Sequence, residues 1–327
     1  AGLAGSPVTF VHTAIPSNPT TLTYVSGNLQ TAPAGFEVAE DLVVLLTDDN
    51  GNGVGGRAVT WVVATGGGTV TPQNTTTDPS GLARTRWTLG VAAGPNTLTA
   101  VFSGVAPARF SATGSADVPT TIALQSGDNQ SAIGGQALAN PLAVLVTDAN
   151  NNPVEGVPVT WTPIGGGAVS APTSATNAQG IAQITRTLGL TPGTYTTTAD
   201  VPTLTGTPIT FTSTATVGPA TQIIVITQPG ATAQNGVLLS PQPVVQVQDA
   251  GGNNVGPANR TITAVIASAP LGGGALGGDP TKQTDANGQV VFTDLKITGA
   301  VGNYTIRFSS GVLTDAFSTA ISVTVGP

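Results

Sequence analysis

The run 42–48 (LVVLLTD) returns at 142–148 (LAVLVTD) and, more loosely, at 243–249 (PVVQVQD). Pro19, Pro119 and Pro219 each open a further matching segment, so this chain of 327 residues is written three times with a period of about one hundred. A fixed long period means one structural unit per repeat, set in a row. Each unit is long enough to bury its own core. The expected division is residues 19–117, 118–218 and 219–327, preceded by an extra segment 1–18.

Within each unit, short runs of Val, Ile, Leu and Thr alternate with polar residues and are bounded by Gly, Pro, Asn and Asp, with no helical spacing. This is the pattern of strands and turns. In the second unit the runs are 121–125, 142–147, 157–161, 180–188, 194–201 and 208–214. Six or seven strands in about one hundred residues predict an all-β chain, a tandem array of three antiparallel immunoglobulin-like sandwiches. Alternation sets Leu42, Val44 and Leu46 on one face, and Leu142, Val144 and Val146 on another, both expected in the core. Trp61 and Trp161 recur at matching strand positions and are expected there too, as is Trp87, rather than as platforms for stacking sugars.

Two turn motifs recur. The first is Asp48-Asp49-Asn50-Gly51-Asn52-Gly53, then Asp148-Ala149-Asn150-Asn151-Asn152, then Asp249-Ala250-Gly251-Gly252-Asn253-Asn254; the second is T-[DN]-x-x-G at 77–81, 176–180 and 284–288. Asn, Asp and Gly tolerate positive φ and bond their own backbone, as tight turns require. Taken with Val159-Thr160-Trp161 between them, and its counterparts in the other units, these motifs resemble bacterial immunoglobulin-like domains of the invasin and intimin group. The resemblance implies rigid extracellular spacers on bacterial surfaces. The lectin-like cap and membrane barrel of those adhesins have no counterpart in these residues.

The closing strand of each unit is expected around a Phe: Phe110, Phe211 and Phe317. A fourth copy, PVTFVHTA, lies at 7–14, with Phe10 one period before Phe110. Three accounts of it stand side by side. The chain is a window on a longer array; or residues 1–14 are a donor strand, with Val8, Phe10 and His12 as assembly residues, that adds to a neighbouring copy; or the segment pairs with the edge of its own first unit. Strand addition satisfies open backbone groups while alternate side chains enter pockets. Being heterologous, it propagates into filaments. The start at AGLAG, without Met, reads as a processed N-terminus.

Composition narrows the chemistry. Nine basic residues against a net charge of −7 offer no stripe for phosphates, which excludes nucleic acid as an expected partner. No run reaches the ~18 apolar residues needed to span a bilayer. With no Cys and no Met, the chain suits an oxidising exterior without depending on disulfides. His12 is the only histidine, so no Ser-His-Asp triad forms within a unit, and neither catalysis nor a cofactor is expected. Asp48, Asn50 and Asn52 match the first half of a calcium loop, but Val59 stands where the bidentate acid belongs, so a plain hairpin turn is expected there. Asn74, Asn129, Asn259 and Asn303 match the N-glycosylation pattern.

The expected function is a structural subunit of an extracellular filament, with copies of itself as partners. The alternatives are a stalk segment of an invasin-like adhesin facing a host or neighbouring cell surface, and a non-catalytic module of a secreted enzyme. Each places the chain outside the cell or on its surface.

Overall fold

The computed structural model describes residues 5, 9–13, 15–256 and 258–326, and every regular element among them is a strand. In the first repeat these are β1 (Thr21–Ser26), β2 (Gln30–Pro33), β3 (Leu42–Thr47), β4 (Ala58–Thr65), β5 (Gly68–Thr71), β6 (Asn74–Thr76), β7 (Leu82–Leu89), β8 (Gly94–Val101) and β9 (Ala108–Ser115). They form two sheets, ordered β1-β3-β7-β5 and β2-β9-β8-β4-β6. The same order returns in the second repeat, between Thr121 and Thr216, and in the third, between Ala220 and Thr324, except that part of the smaller sheet separates there as a two-stranded one, Ala168–Val169 with Arg186–Thr187 and Gly274–Gly277 with Lys296–Gly299. The third repeat adds the short strand Ala316–Phe317 beside Gly302–Ser309. Each set closes on its own hydrophobic core.

Among the paired strands the pairing is antiparallel with one exception per repeat. The chain leaves β1 through Gly27 and Leu29, both at positive φ, and crosses to the other sheet, where β2 runs parallel to β9. A Cβ on Gly27 would meet the Leu42 backbone at 2.9 Å, so only glycine lets the chain turn this tightly. The strands Gln130–Ile133 and Thr232–Gln234 make the same switch. These short strands were absent from the sequence pattern because a run of three or four residues shows no period.

The expected core faces are buried: Leu42, Val44, Leu46, Leu142, Val144 and Val146 are all inaccessible. Trp61, Trp87 and Trp161 are buried too, which removes them as stacking surfaces. Trp61 and Trp161 each donate Nε1–H to a hydroxyl, of Thr75 at 2.8 Å and Ser174 at 2.9 Å, and each packs on a closing-strand Phe with ring centroids 5.9 Å apart.

The third repeat corrects one expectation. Phe110 and Phe211 are fully buried, but Phe317 is 56% exposed and pairs with Arg307. Opposite Ile306, where a closing-strand Phe would sit, stands Ser318, joined to Ile306 by hydrogen bonds in both directions. The missing volume is supplied from neighbouring strands. Trp61 faces Ala100 and Trp161 faces Ala199, whereas Ala264 faces Phe308, and Phe308 packs on Phe292 at 5.5 Å.

The N-terminal segment is a further correction. Described residues 9–13 lie in no strand, Phe10 is 77% exposed and His12 is exposed. The chain therefore forms no added edge strand there on its own first repeat. Val8 lies outside the described residues.

Candidate functional site: the joints between repeats

The Asp that ends the strand Leu42–Thr47 and its counterparts is buried in all three repeats. Its first task is local. Asp48 Oδ1 accepts the N–H groups of Asn50 and Asn52 at 3.0 and 2.9 Å, while its backbone N–H reaches Asn52 O and Gly51 N–H returns to Asp48 O. The residue before the Asn four places after the Asp sits at positive φ, as Gly51, Asn151 and Gly252, which explains the Gly or Asn found there. The T-[DN]-x-x-G turn follows similar logic. Thr77 and Thr176 bury a hydroxyl that donates to Val54 O and Val154 O, and Asp78, Asn177 and Asp285 each accept two turn N–H groups.

The second task of the Asp is to hold the incoming linker. Asp148 Oδ2 accepts Asp117 N–H at 3.0 Å, Asp249 Oδ2 accepts Gly218 N–H at 2.9 Å, and Asp48 Oδ2 accepts Ser17 N–H at 2.9 Å. The Asn four residues on shares that carboxylate through Nδ2, at 3.1 Å from Asn52, 2.9 Å from Asn152 and 3.0 Å from Asn253. Asn152 then reaches the preceding repeat, where its Nδ2 donates to Val91 O at 2.9 Å and its Oδ1 accepts Ala93 N–H at 2.7 Å. Asn253 does half of this, donating to Leu190 O at 2.9 Å. In the position of Ala93 the second repeat has Pro192, which carries no N–H to offer.

Each of these carboxyls titrates below its ordinary range. Asp48 is lowered to about 2, mainly by the Ser17 N–H, with burial opposing and the Asn52 and Asn50 donors adding to the effect. For Asp148, burial pushes upward but is outweighed by the N–H groups of Asp117, Asn152 and Asn150. Asp249 follows the same balance with Asn253, Gly218 and Gly251. Hydrogen bonds to the charged form favour ionisation.

The calcium candidates Asp48, Asn50 and Asn52 are thus brought together, but as a carboxylate ringed by N–H donors, whereas a hard cation requires converging oxygens. No group of three or more His, Cys, Asp or Glu able to hold a metal is found among the described residues. Asn74, Asn129, Asn259 and Asn303 are all exposed and lie apart from the joints. The reach of Asn152 and Asn253 across the joint was missed in the sequence. Its signal was there: a hairpin turn needs no amide at that position, yet all three repeats keep an Asn four residues after the Asp.

One edge differs between repeats. In the second, Thr205 lies beside Thr121, accepting Ile122 N–H and donating to Thr120 O at 3.0 and 2.9 Å, over a buried Leu204; in the third, Thr314 and Leu313 do the same at Gln222. The first repeat makes no such bridge among the described residues. Val105, where Leu313 would be, is only partly buried, and an open cleft of about 610 Å³ is lined by Leu22, Thr23, Tyr24, Pro107, Ala108 and Arg109.

Residues 121–222 match the family model of the bacterial Ig-like domain (group 1). Among solved structures, the chain is similar to the Escherichia coli adhesin FdeC, at 16% identity over 95% of this chain and 100% of that one, with a TM-score of 0.55. InvD of Yersinia pseudotuberculosis (14% identity, 94% of this chain and 98% of that one, TM-score 0.41) and invasin, a bacterial integrin-binding protein (16%, 93% and 60%, TM-score 0.37), are also similar. No curated protein sequence matches the chain.

Proposed function

We propose that this chain is a stalk segment of a bacterial cell-surface adhesin, a row of immunoglobulin-like modules divided at 117/118 and 218/219, whose task is to hold a fixed direction and reach. The middle repeat is a bacterial Ig-like domain by its family match, and the fold of the whole is that of FdeC. The observation that carries the reading is the repeated joint. The same Asp binds turn and linker, and the Asn beside it bonds the module before. Bonds of this kind, closing on short linkers, remove the freedom that tandem domains otherwise have. The module surfaces offer a reaction little to work with. His12, the only histidine, is exposed, and the joint carboxylates are spent on N–H donors. An extracellular or surface location follows from the same reading.

Small-angle scattering tests it. The chain is expected to scatter as one extended body, and the double variant Asn152→Ala/Asn253→Ala to lose the longest distances while its circular dichroism stays unchanged. A wild-type profile that already requires freely jointed modules would sink the proposal.

Assembly of copies into a filament is a second reading. It is favoured by the exposed Phe10 and the open edge at Leu22 and Tyr24, and weakened because each repeat already carries its own closing strand. Long polymers in negative stain that vanish on deletion of residues 1–14 would support it; a monomer at every concentration would end it.

A further inference from the structure

The turn Asp48–Asn52 is a third copy of the latch, and half of it is unused. Ser17 N–H already sits on Asp48 Oδ2, as Asp117 and Gly218 sit on their carboxylates. Asn52 is folded as Asn152 is, with its N–H and Nδ2 both on Asp48. Yet no bond joins its Oδ1 to any N–H among the described residues, and it is exposed where Asn152 is buried. The difference between the two is the loop 90–94 that lies over Asn152.

We propose that the Asp48–Asn52 face receives a further immunoglobulin-like module set ahead of Ser17 in the same polypeptide, presenting a five-residue Gly–aliphatic–x–x–Gly loop. This rests on the reading of the joints given above. The two loops of that kind in this chain, Gly90-Val91-Ala92-Ala93-Gly94 and Gly189-Leu190-Thr191-Pro192-Gly193, are already engaged by Asn152 and Asn253. The third repeat has the shorter Gly299-Ala300-Val301-Gly302, which does not offer the same spacing of carbonyl and N–H, so the last module of a second copy is the poorer fit. The sequence ahead of Ser17 agrees: Phe10 stands one period before Phe110, where a closing strand and its linker would run. The complementarity is one of named groups. A carbonyl one residue after the first Gly meets Asn52 Nδ2, and an N–H two residues later meets Asn52 Oδ1.

The experiment places a duplicate of residues 19–118 directly ahead of Pro19, so that Val118 runs into Pro19 as it natively runs into Pro119. The chain has no Cys, so donor and acceptor dyes go on engineered cysteines either side of the new joint, and on a second sample either side of the native first joint. The expected result is a single narrow transfer efficiency across both joints. Asn52→Ala in the downstream unit is expected to lose it at the new joint alone. A broad distribution with Asn52 intact, or a narrow one indifferent to Asn52→Ala, would overturn the proposal. So would a concentration-dependent dimer of the original chain that Asn52→Ala abolishes, since that would assign the face to a second copy. A broad distribution at the native joint would defeat the stalk reading instead, and is separately visible.

Discussion

Asp148 holds four N–H groups at once, and its value to the chain depends on its charge. A carboxylate whose folded pKa lies below its unfolded one stabilises the folded arrangement above the unfolded value and loses that contribution as pH falls through the folded value. For Asp48 the window runs from the ordinary 3.8 down to about 2, and Asp148 and Asp249 shift in the same direction. The joints are therefore expected to be intact at pH 5 and above and to loosen below about pH 4 before the module cores unfold. Near-ultraviolet dichroism of the buried Trp residues alongside scattering across that range checks the order; cores that melt first would contradict it. At this scale the sequence was partly legible. The Asp and Gly of the turn could be read from turn chemistry, but a bond from Asn152 to a loop about sixty residues earlier leaves no local pattern.

At the scale of strands, the three cores solve one packing problem in two ways. Trp against Ala across the strand pair is replaced in the third repeat by Ala against Phe, and the closing-strand Phe by Ser318. Interiors are close-packed, so bulk lost at one position has to return at a neighbour. Ala264→Trp alone is expected to destabilise the third module by about 1–3 kcal/mol through overpacking. The double variant Ala264→Trp/Phe308→Ala is expected to recover part of that loss, and denaturant titration measures both. Equal destabilisation by single and double variants would show that the two sites do not share a space. The sequence showed Ala264 as an oddity but not its compensation, because strand register is set by pairing rather than by spacing along the chain. Phe317 was misplaced for the same reason. A Phe in the right neighbourhood of the repeat fell one position away from the core-facing one, and a one-residue slip reverses every side chain.

For the whole molecule, the period together with the alternation inside it was enough to read an all-β tandem array, because repeating a core pattern three times leaves little else that it can be. What it could not give was whether the units act as beads or as a rod, since that is decided by a few bonds between repeats. Those bonds differ between the joints in a way that can be used. The first is closed by two hydrogen bonds at Asn152, one donated and one accepted, the second by one donated from Asn253, where Pro192 has no N–H. A hydrogen bond of this kind contributes about 0.5–1.5 kcal/mol, so one bond is enough to change how often a joint opens. Spin labels on engineered cysteines either side of each joint measure this most directly, as the spread of distances. The expected result is a narrow distribution across the first joint, a broader one across the second, narrowing of the second by Pro192→Ala and broadening of the first by Asn152→Ala. Two equally broad distributions, untouched by either substitution, would contradict the claim that the Asp–Asn latch makes these modules a stalk.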